Sequence, residues 1–289
     1  MAHRLFRFHT LLFILGFVFI YLPQMTAQSV WILPEEATNI RIEYLKPTFA
    51  EYDVSGGKAS TIASIYSINF RAKLSDRFFG ICELPFMKVT FPQYFSSQDI
   101  QQSGIANILI GFEYKTSSSS FIEFGARIPT ISEKNSSMIF VGWLGDIERW
   151  EAYVPKQTAL TLAGNYLQQF ESGIVARVRC APSVWIQGSD QRYTKSDGTA
   201  FVIDASGGIG YIHEYFDIGM NFASRSAISP DEIIFNNDQT QFNLGLGAGY
   251  RFRSSRIGLY YRAFINDNPH VFKPNEGVFG VNVSYAFND

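Results

Sequence analysis

The amino-acid sequence predicts an all-β protein: one up-and-down, antiparallel transmembrane β-barrel of twelve strands with short periplasmic turns and long extracellular loops. Three observations predict it. The chain opens on an export signal, continues as segments of about ten residues that alternate apolar and polar side chains, and joins them by connections that are alternately short and long.

The N-terminal segment carries Arg4 and Arg7 with no acid, then an apolar stretch from Leu11 to Leu22, then Pro23 and the small residues Thr26 and Ala27 before Gln28. Twelve apolar residues are too few to span a bilayer, which takes about 20. The order basic, apolar, small is that of a secretory signal peptide over residues 1–27, leaving a single domain over 28–289. No cysteine follows the cleavage point, which argues against a lipoprotein. The chain is 46% hydrophobic, 16% aromatic and 17% charged, with mean hydropathy +0.00. That excludes a disordered chain, and the lack of any later apolar run near 20 residues argues against membrane helices. Without Arg4 and Arg7 the remainder has 22 bases against 26 acids, net −4, which speaks against a nucleic-acid partner. Cys82 and Cys180 are expected to be free, buried thiols.

A strand with lipid on one side and a lumen on the other must alternate. A first strand is expected around Asn39 to Tyr52. In the second, Ile62, Tyr66, Ile68, Phe70 and Ala72 oppose Thr61, Ser67, Asn69, Arg71 and Lys73. Phe78, Cys82, Leu84 and Phe86 then oppose Glu83. Next, Ala106, Ile108, Ile110, Phe112 and Tyr114 oppose Asn107 and Glu113, and Ile122, Phe124, Ala126 and Ile128 oppose Glu123 and Arg127. The pattern resumes with Leu160, Leu162 and Tyr166 against Thr161 and Asn165, and with Ile174 to Val184 against Arg177 and Arg179. It continues around Asp204, around Asp217 and Asn221, from Phe242 to Phe252, from Ile257 to Ala263, and from Phe279 to Phe287. The total is twelve, an even number, as single-chain bacterial barrels have.

The connections at Ser75 to Arg77, Ser117 to Ser120, Glu171 to Ser172, His213 to Tyr215 and Ser254 to Ser255 are tight. Those at Pro92 to Gln102, Pro129 to Gln157, Gly188 to Gly198, Ala227 to Gln239 and Asn266 to Glu276 are longer, with Ser55 to Lys58 the exception. This places both termini in the periplasm. The final strand, Gly277–Phe287, ends in outward Tyr285 and Phe287, like the aromatic-ended strands that the barrel assembly machinery receives. A soluble β-sandwich or lipocalin-like barrel also alternates, but same-sign pairs such as Arg177/Arg179 and Arg251/Arg253 do not suit an apolar core.

With the polar parity inward, eleven bases face six acids in the lumen. The residues expected to line the pore and set selectivity are Arg127, Arg177, Arg179, Arg262, Glu83, Glu123 and Asp204. Two readings stand: mixed charges that pair to strut a narrow barrel, and a ring of bases that selects anions. Strands about 4.8 Å apart and tilted about 40° give a backbone radius of roughly 12 Å, enough for a small solute and too little for a folded chain. Inward glycines (Gly208, Gly210, Gly245, Gly247, Gly249) either open the lumen or relieve crowding. Ile139, Phe140, Trp143, Leu144, Ile147 and Trp150 recur at helical spacing, so a short amphipathic helix is expected within Ser136 to Val154. It could constrict the barrel mouth, lie on the outer leaflet, or be a packed loop without a gating role.

No catalytic constellation emerges. His213 sits in a periplasmic turn and His270 in an outer loop, too far apart for a shared metal or triad, so neither metal, cofactor nor enzymatic activity is expected. The unit Leu74-Ser75-Asp76-Arg77, followed by Phe78 to Val89 with Glu83-Leu84-Pro85-Phe86, resembles an element of outer-membrane transporters associated with the MetA pathway of phenol degradation. Arg127-Ile128-Pro129-Thr130 is similar to that family's Leu-Pro-Thr element, though the glycine that follows in the family is missing. The resemblance covers strands two to six. It implies a twelve-strand channel for small molecules, hydrophobic ones included, and brings no binding residues. The expected function is a passive outer-membrane channel for small solutes, and the alternative is a closed structural or interaction barrel. The expected partners are the bilayer, a small-molecule solute and the assembly machinery.

Overall fold

The computed structural model describes residues 37–49, 52–54, 57–59, 61–91, 100–135, 138–139, 141–142, 146–188, 199–228, 240–265 and 277–287. The expected signal peptide over 1–27 and the outer-loop stretches 92–99, 189–198, 229–239 and 266–276 lie outside them.

Twelve strands form the wall: β1 (Asn39–Thr48), β2 (Ile62–Lys73), β3 (Phe78–Phe91), β4 in two segments (Ile100–Ile105 and Ile108–Lys115), β5 (Ser120–Ile128), β6 (Gln157–Gln169), β7 (Ile174–Gln187), β8 (Thr199–Ile212), β9 (Phe216–Ala227), β10 (Thr240–Phe252), β11 (Ser255–Phe264) and β12 (Gly277–Ala286). Each pairs antiparallel with its neighbour in the chain, and β1 closes on β12 from Asn39↔Ala286 to Thr48↔Gly277. A short ribbon, Tyr52–Val54 with Gly57–Ala59, lies between β1 and β2. The barrel is therefore the closed, twelve-stranded architecture that the alternation implies. The five tight turns fall where expected, between β2 and β3, β4 and β5, β6 and β7, β8 and β9, and β10 and β11. The turn residue Gly173 has φ 85°, a conformation natural to glycine.

The outer surface is apolar because hydrocarbon surrounds it. Ile110, Ile209, Leu246 and Leu259, on four different strands, are each about half exposed, and the same holds around the wall. A continuous apolar surface of this extent suits lipid, and closure pairs the backbone groups that lipid could not. Aromatic residues gather at the periplasmic ends: Phe78 packs on Tyr114 with ring centroids 4.9 Å apart, and Tyr285 meets Phe287 edge-on at 5.1 Å. Cys82 and Cys180 are unbridged, and both are half-buried on the lipid-facing parity rather than fully buried as expected.

The structure departs from simple alternation twice. Strand β4 breaks at Ala106-Asn107, while β5 stops at Ile128, opposite Ile108. The inward parity is also not polar throughout. Toward the extracellular side it becomes Leu45, Ala63, Ile65, Met87, Val89 and Val278, each no more than 1% exposed. These side chains face inward but do not face water.

Candidate functional site

What covers them is the connection between β5 and β6, residues 129–156, which turns into the barrel. Pro129 has no N–H to extend the ladder with β4. The Thr130 hydroxyl then donates to the Ala106 carbonyl at 2.5 Å. Asn107 clamps both ends of the inserted segment: its Oδ1 accepts from the Thr130 and Ile131 N–H groups at 2.9 and 3.1 Å, and its Nδ2 donates to the Glu151 and Val154 carbonyls at 3.0 and 2.6 Å. Its backbone N–H donates to Ala152 O at 2.7 Å, so β4 breaks here because its hydrogen bond goes to the loop instead of to the wall. The whole side-chain amide is used.

Beyond the clamp the segment fills the outer half of the lumen. Ile131, Met138, Ile139, Val141, Ala152 and Tyr153 pack with Leu45, Ala63, Ile65, Met87, Val89, Tyr260 and Val278 in one buried cluster. Trp150 and Val154 form a second with Ala159, Trp185 and Val202, the two indoles meeting edge-on at 5.1 Å. Gly142 is required where the Tyr153 ring lies against its Cα, since a Cβ there would overlap the ring. Within the stretch expected to hold a short helix, Met138, Ile139, Val141 and Gly142 are helical and a 3-10 turn covers Ile147–Ala152, while Phe140, Trp143 and Leu144 lie outside the described residues. The 3-10 turn is interrupted at Arg149, whose φ of −124° leaves the helical range.

Arg149 is the centre of a buried charged layer beneath the apolar clusters. It forms a close ion pair with Glu43 on β1, lies 2.8 Å from Asp146 as a second ion pair and 3.6 Å from Glu83 on β3. Arg127 on β5 pairs with Glu83 at 3.0 Å and Glu151 at 3.3 Å. Arg225 on β9 holds Asp204 at 2.5 Å and Glu151 at 3.0 Å, and Arg262 on β11 lies 3.6 Å from Asp146. The Tyr260 hydroxyl donates to Glu43 at 2.8 Å, and Gly280 leaves room for its ring against the wall. Four guanidiniums thus meet five carboxylates, and Arg41 acts electrostatically on Glu43 as a further base. The near-neutral sum is what burial demands, because a lone charge here would carry a desolvation penalty of several kcal/mol. Burial pushes the Glu151 carboxyl up, but Arg225 and Arg127 outweigh it and hold it below the usual carboxylate range.

The periplasmic half has smaller, separate pairs. Arg71 bonds Glu113 at 2.5 Å and stacks over the Phe79 ring, and Arg179 bonds Glu123 at 2.8 Å. Arg256 bonds Asp217 at 2.5 and 2.7 Å and Asn282 at 3.0 Å, with Arg251 adding a contact to Asp217 at 3.2 Å. The Arg256 guanidinium lies over Gly249 and Gly258, so inward Gly249 seats an arginine rather than opening the pore. Arg41 on β1 and Arg177 on β7, half the circumference apart, act on each other electrostatically.

The sequence-predicted site residues therefore divide. Glu83, Arg127, Asp204 and Arg262 belong to the charged layer that holds the loop, whereas Arg177, Arg179 and Glu123 lie below it. Asn107, Asp146, Arg149, Glu151 and Arg225 were not singled out. The available signal was the charged run Asp146, Glu148, Arg149 and Glu151 within an otherwise apolar segment.

No protein-family profile and no curated relative matches the sequence. Among solved structures, an outer membrane channel from Pseudomonas putida F1 is 13% identical with a TM-score of 0.57, matching 88% of this chain and 97% of that one. The translocator domain of the autotransporter NalP from Neisseria meningitidis is 11% identical with a TM-score of 0.55, over 88% and 90%. The β domain of the Bordetella autotransporter BrkA is 11% identical with a TM-score of 0.52, over 87% and 100%. At these identities the likeness shows the fold, that of outer-membrane β-barrels.

Proposed function

We propose that this chain is an outer-membrane channel for small solutes, closed at rest by the segment 129–156 lodged in its lumen. The observation that carries this is the way the segment is held. Besides its two apolar clusters, the loop is docked through a layer of ion pairs, Arg149 with Glu43 and Glu151 with Arg225, that water or a solute can replace group for group. Opening would expose the charged layer together with the apolar faces of loop and barrel. The chain would reach the outer membrane through its expected signal peptide, with Gly277–Phe287 presented to the assembly machinery. The resemblance to MetA-pathway transporters supports a small-molecule cargo.

Selectivity follows from the division of charges. The layer that holds the loop is close to neutral, so Arg127 and Arg262 do not bias permeation. Arg177 and Arg179, with Arg41 opposite, do: two unit charges about 7 Å apart interact by roughly 2 kcal/mol at an effective dielectric of about 20. Anions are favoured. In planar bilayers the folded protein should give discrete conductance steps with anion preference in a salt gradient, reduced in an Arg177→Gln/Arg179→Gln variant. Cation preference, or no change in that variant, contradicts the selectivity.

A closed structural barrel is the second reading, favoured by the burial of Glu43, Glu83, Arg127, Arg149 and Arg262 to 1% exposure or less. A preparation that is folded and heat-modifiable on gels, yet electrically silent, supports it over the channel.

A further inference from the structure

Below the docked loop, the inner wall of β6–β10 carries polar side chains without a hydrogen-bond partner among the described residues. Pairing puts Arg179, Ser206, Ala223 and Asn243 in one row across β7–β10, and Arg177, Gly208, Asn221 and Gly245 in the row beside it. Directly paired residues share a face. The β6–β7 register (Ser183↔Thr161), carried to the Phe170–Ile174 turn, sets Asn165 opposite Arg179. Both amide atoms of Asn165 and of Asn221, the Ser206 hydroxyl, the Asn243 Oδ1 and the Arg179 Nε have no hydrogen-bond partner among the described residues, although each of these residues is at least nine-tenths buried. Buried polar groups are nearly always bonded, and a contiguous set that is not is the signature of a surface completed by something else.

We propose that Asn165, Arg177, Arg179, Ser206, Asn221 and Asn243 form a binding site for a small hydroxylated carboxylate. Guanidiniums are the donors that a carboxylate engages most strongly. At this level Arg71, Arg177 and Arg179 lie with Glu113 and Glu123, which bond Arg71 and Arg179. Arg41 is balanced by Glu43 in the layer above, so the charge excess is positive by one. The neutral groups determine the rest of the ligand: an amide and a hydroxyl each donate and accept, as a sugar-type hydroxyl does, whereas an alkyl chain would leave them unbonded. Gly208 and Gly245 on either side of Asn221 keep the wall bare, so a ligand can lie flat across it. The site deepens the anion-channel reading and rests on it only for how the ligand arrives.

The test is equilibrium binding of three probes to the full-length folded barrel in detergent micelles, by titration calorimetry. Gluconate has both the carboxylate and the hydroxyls, hexanoate has the carboxylate alone, and sorbitol the hydroxyls alone. Gluconate should bind at least tenfold more tightly than either, and Asn165→Leu/Asn221→Leu should reduce it to the level of hexanoate. Equal affinity for gluconate and hexanoate in the native protein, undetectable binding of both included, overturns the site without recourse to any variant, as does an unchanged preference in the double variant. Gluconate binding by an electrically silent barrel would keep the site and remove the channel, and conduction with no gluconate preference would do the reverse.

Discussion

Toward the outside, the inward positions of β1, β2 and β12 are Leu45, Ala63, Ile65 and Val278; toward the periplasm the same strands present Arg41, Ser67, Arg71, Asn282 and Ser284. Both sets lie on one parity of the same strands, so strand geometry cannot account for the difference. What differs is the neighbour. The outer set faces a second piece of protein, and the inner set faces the polar side chains of other lumen walls. Side-chain parity in a barrel thus reports which side a residue is on, and its chemistry reports what fills that side. An apolar inward stretch in a wall that is otherwise polar inside marks where a loop has come in.

The sharpest way to break this comparison is Arg149→Leu. Removing one guanidinium leaves Glu43, Asp146 and Glu83 buried with less compensation, which should cost about 3–5 kcal/mol of loop docking. Trypsin should then cut after Lys134 and Lys156 in a barrel that otherwise stays folded; uncut protein would mean the apolar clusters suffice. The control on the other face is Ile209→Arg, outward in β8, which should cost about 2–4 kcal/mol of barrel stability in urea unfolding and leave the loop docked. Asn107→Ala removes the clamp and should cost about 2–3 kcal/mol of docking by the same protease measurement, with the β4 break unchanged. At the small end, Lys156 and Glu133 pair at 2.8 Å but are each 45% exposed, so Lys156→Ala should change docking by less than about 0.5 kcal/mol.

The wall was legible because lipid imposes a strict period: Ile62 to Ala72 and Phe242 to Phe252 could be assigned from alternation alone, and turns such as Ser75 to Arg77 from their brevity. The site was legible where it lies on strands, as with Arg127, Arg177, Arg179 and Asp204. Their partners were not. That Arg127 meets Glu83 and Glu151 depends on which way residues 129–156 turn, and nothing in strand period says whether a loop goes out or in. Asn107 carried the one local clue, a polar residue beside Ala106 just where β4 breaks, but its role exists only once the loop is beside it. Leu45, Ile65, Met87 and Val89 were a second clue, apolar residues on the inward parity with no lumen reason to be there.

The central claim is that residues 129–156 close the lumen, and single-channel recording tests it most directly. Replacing residues 132–154 by a short glycine-serine turn should leave a folded, heat-modifiable barrel whose steady conductance is several times that of the native protein and whose current prefers anions. Equal conductance in the two proteins would contradict the claim, and the inserted segment would then be packing rather than a gate.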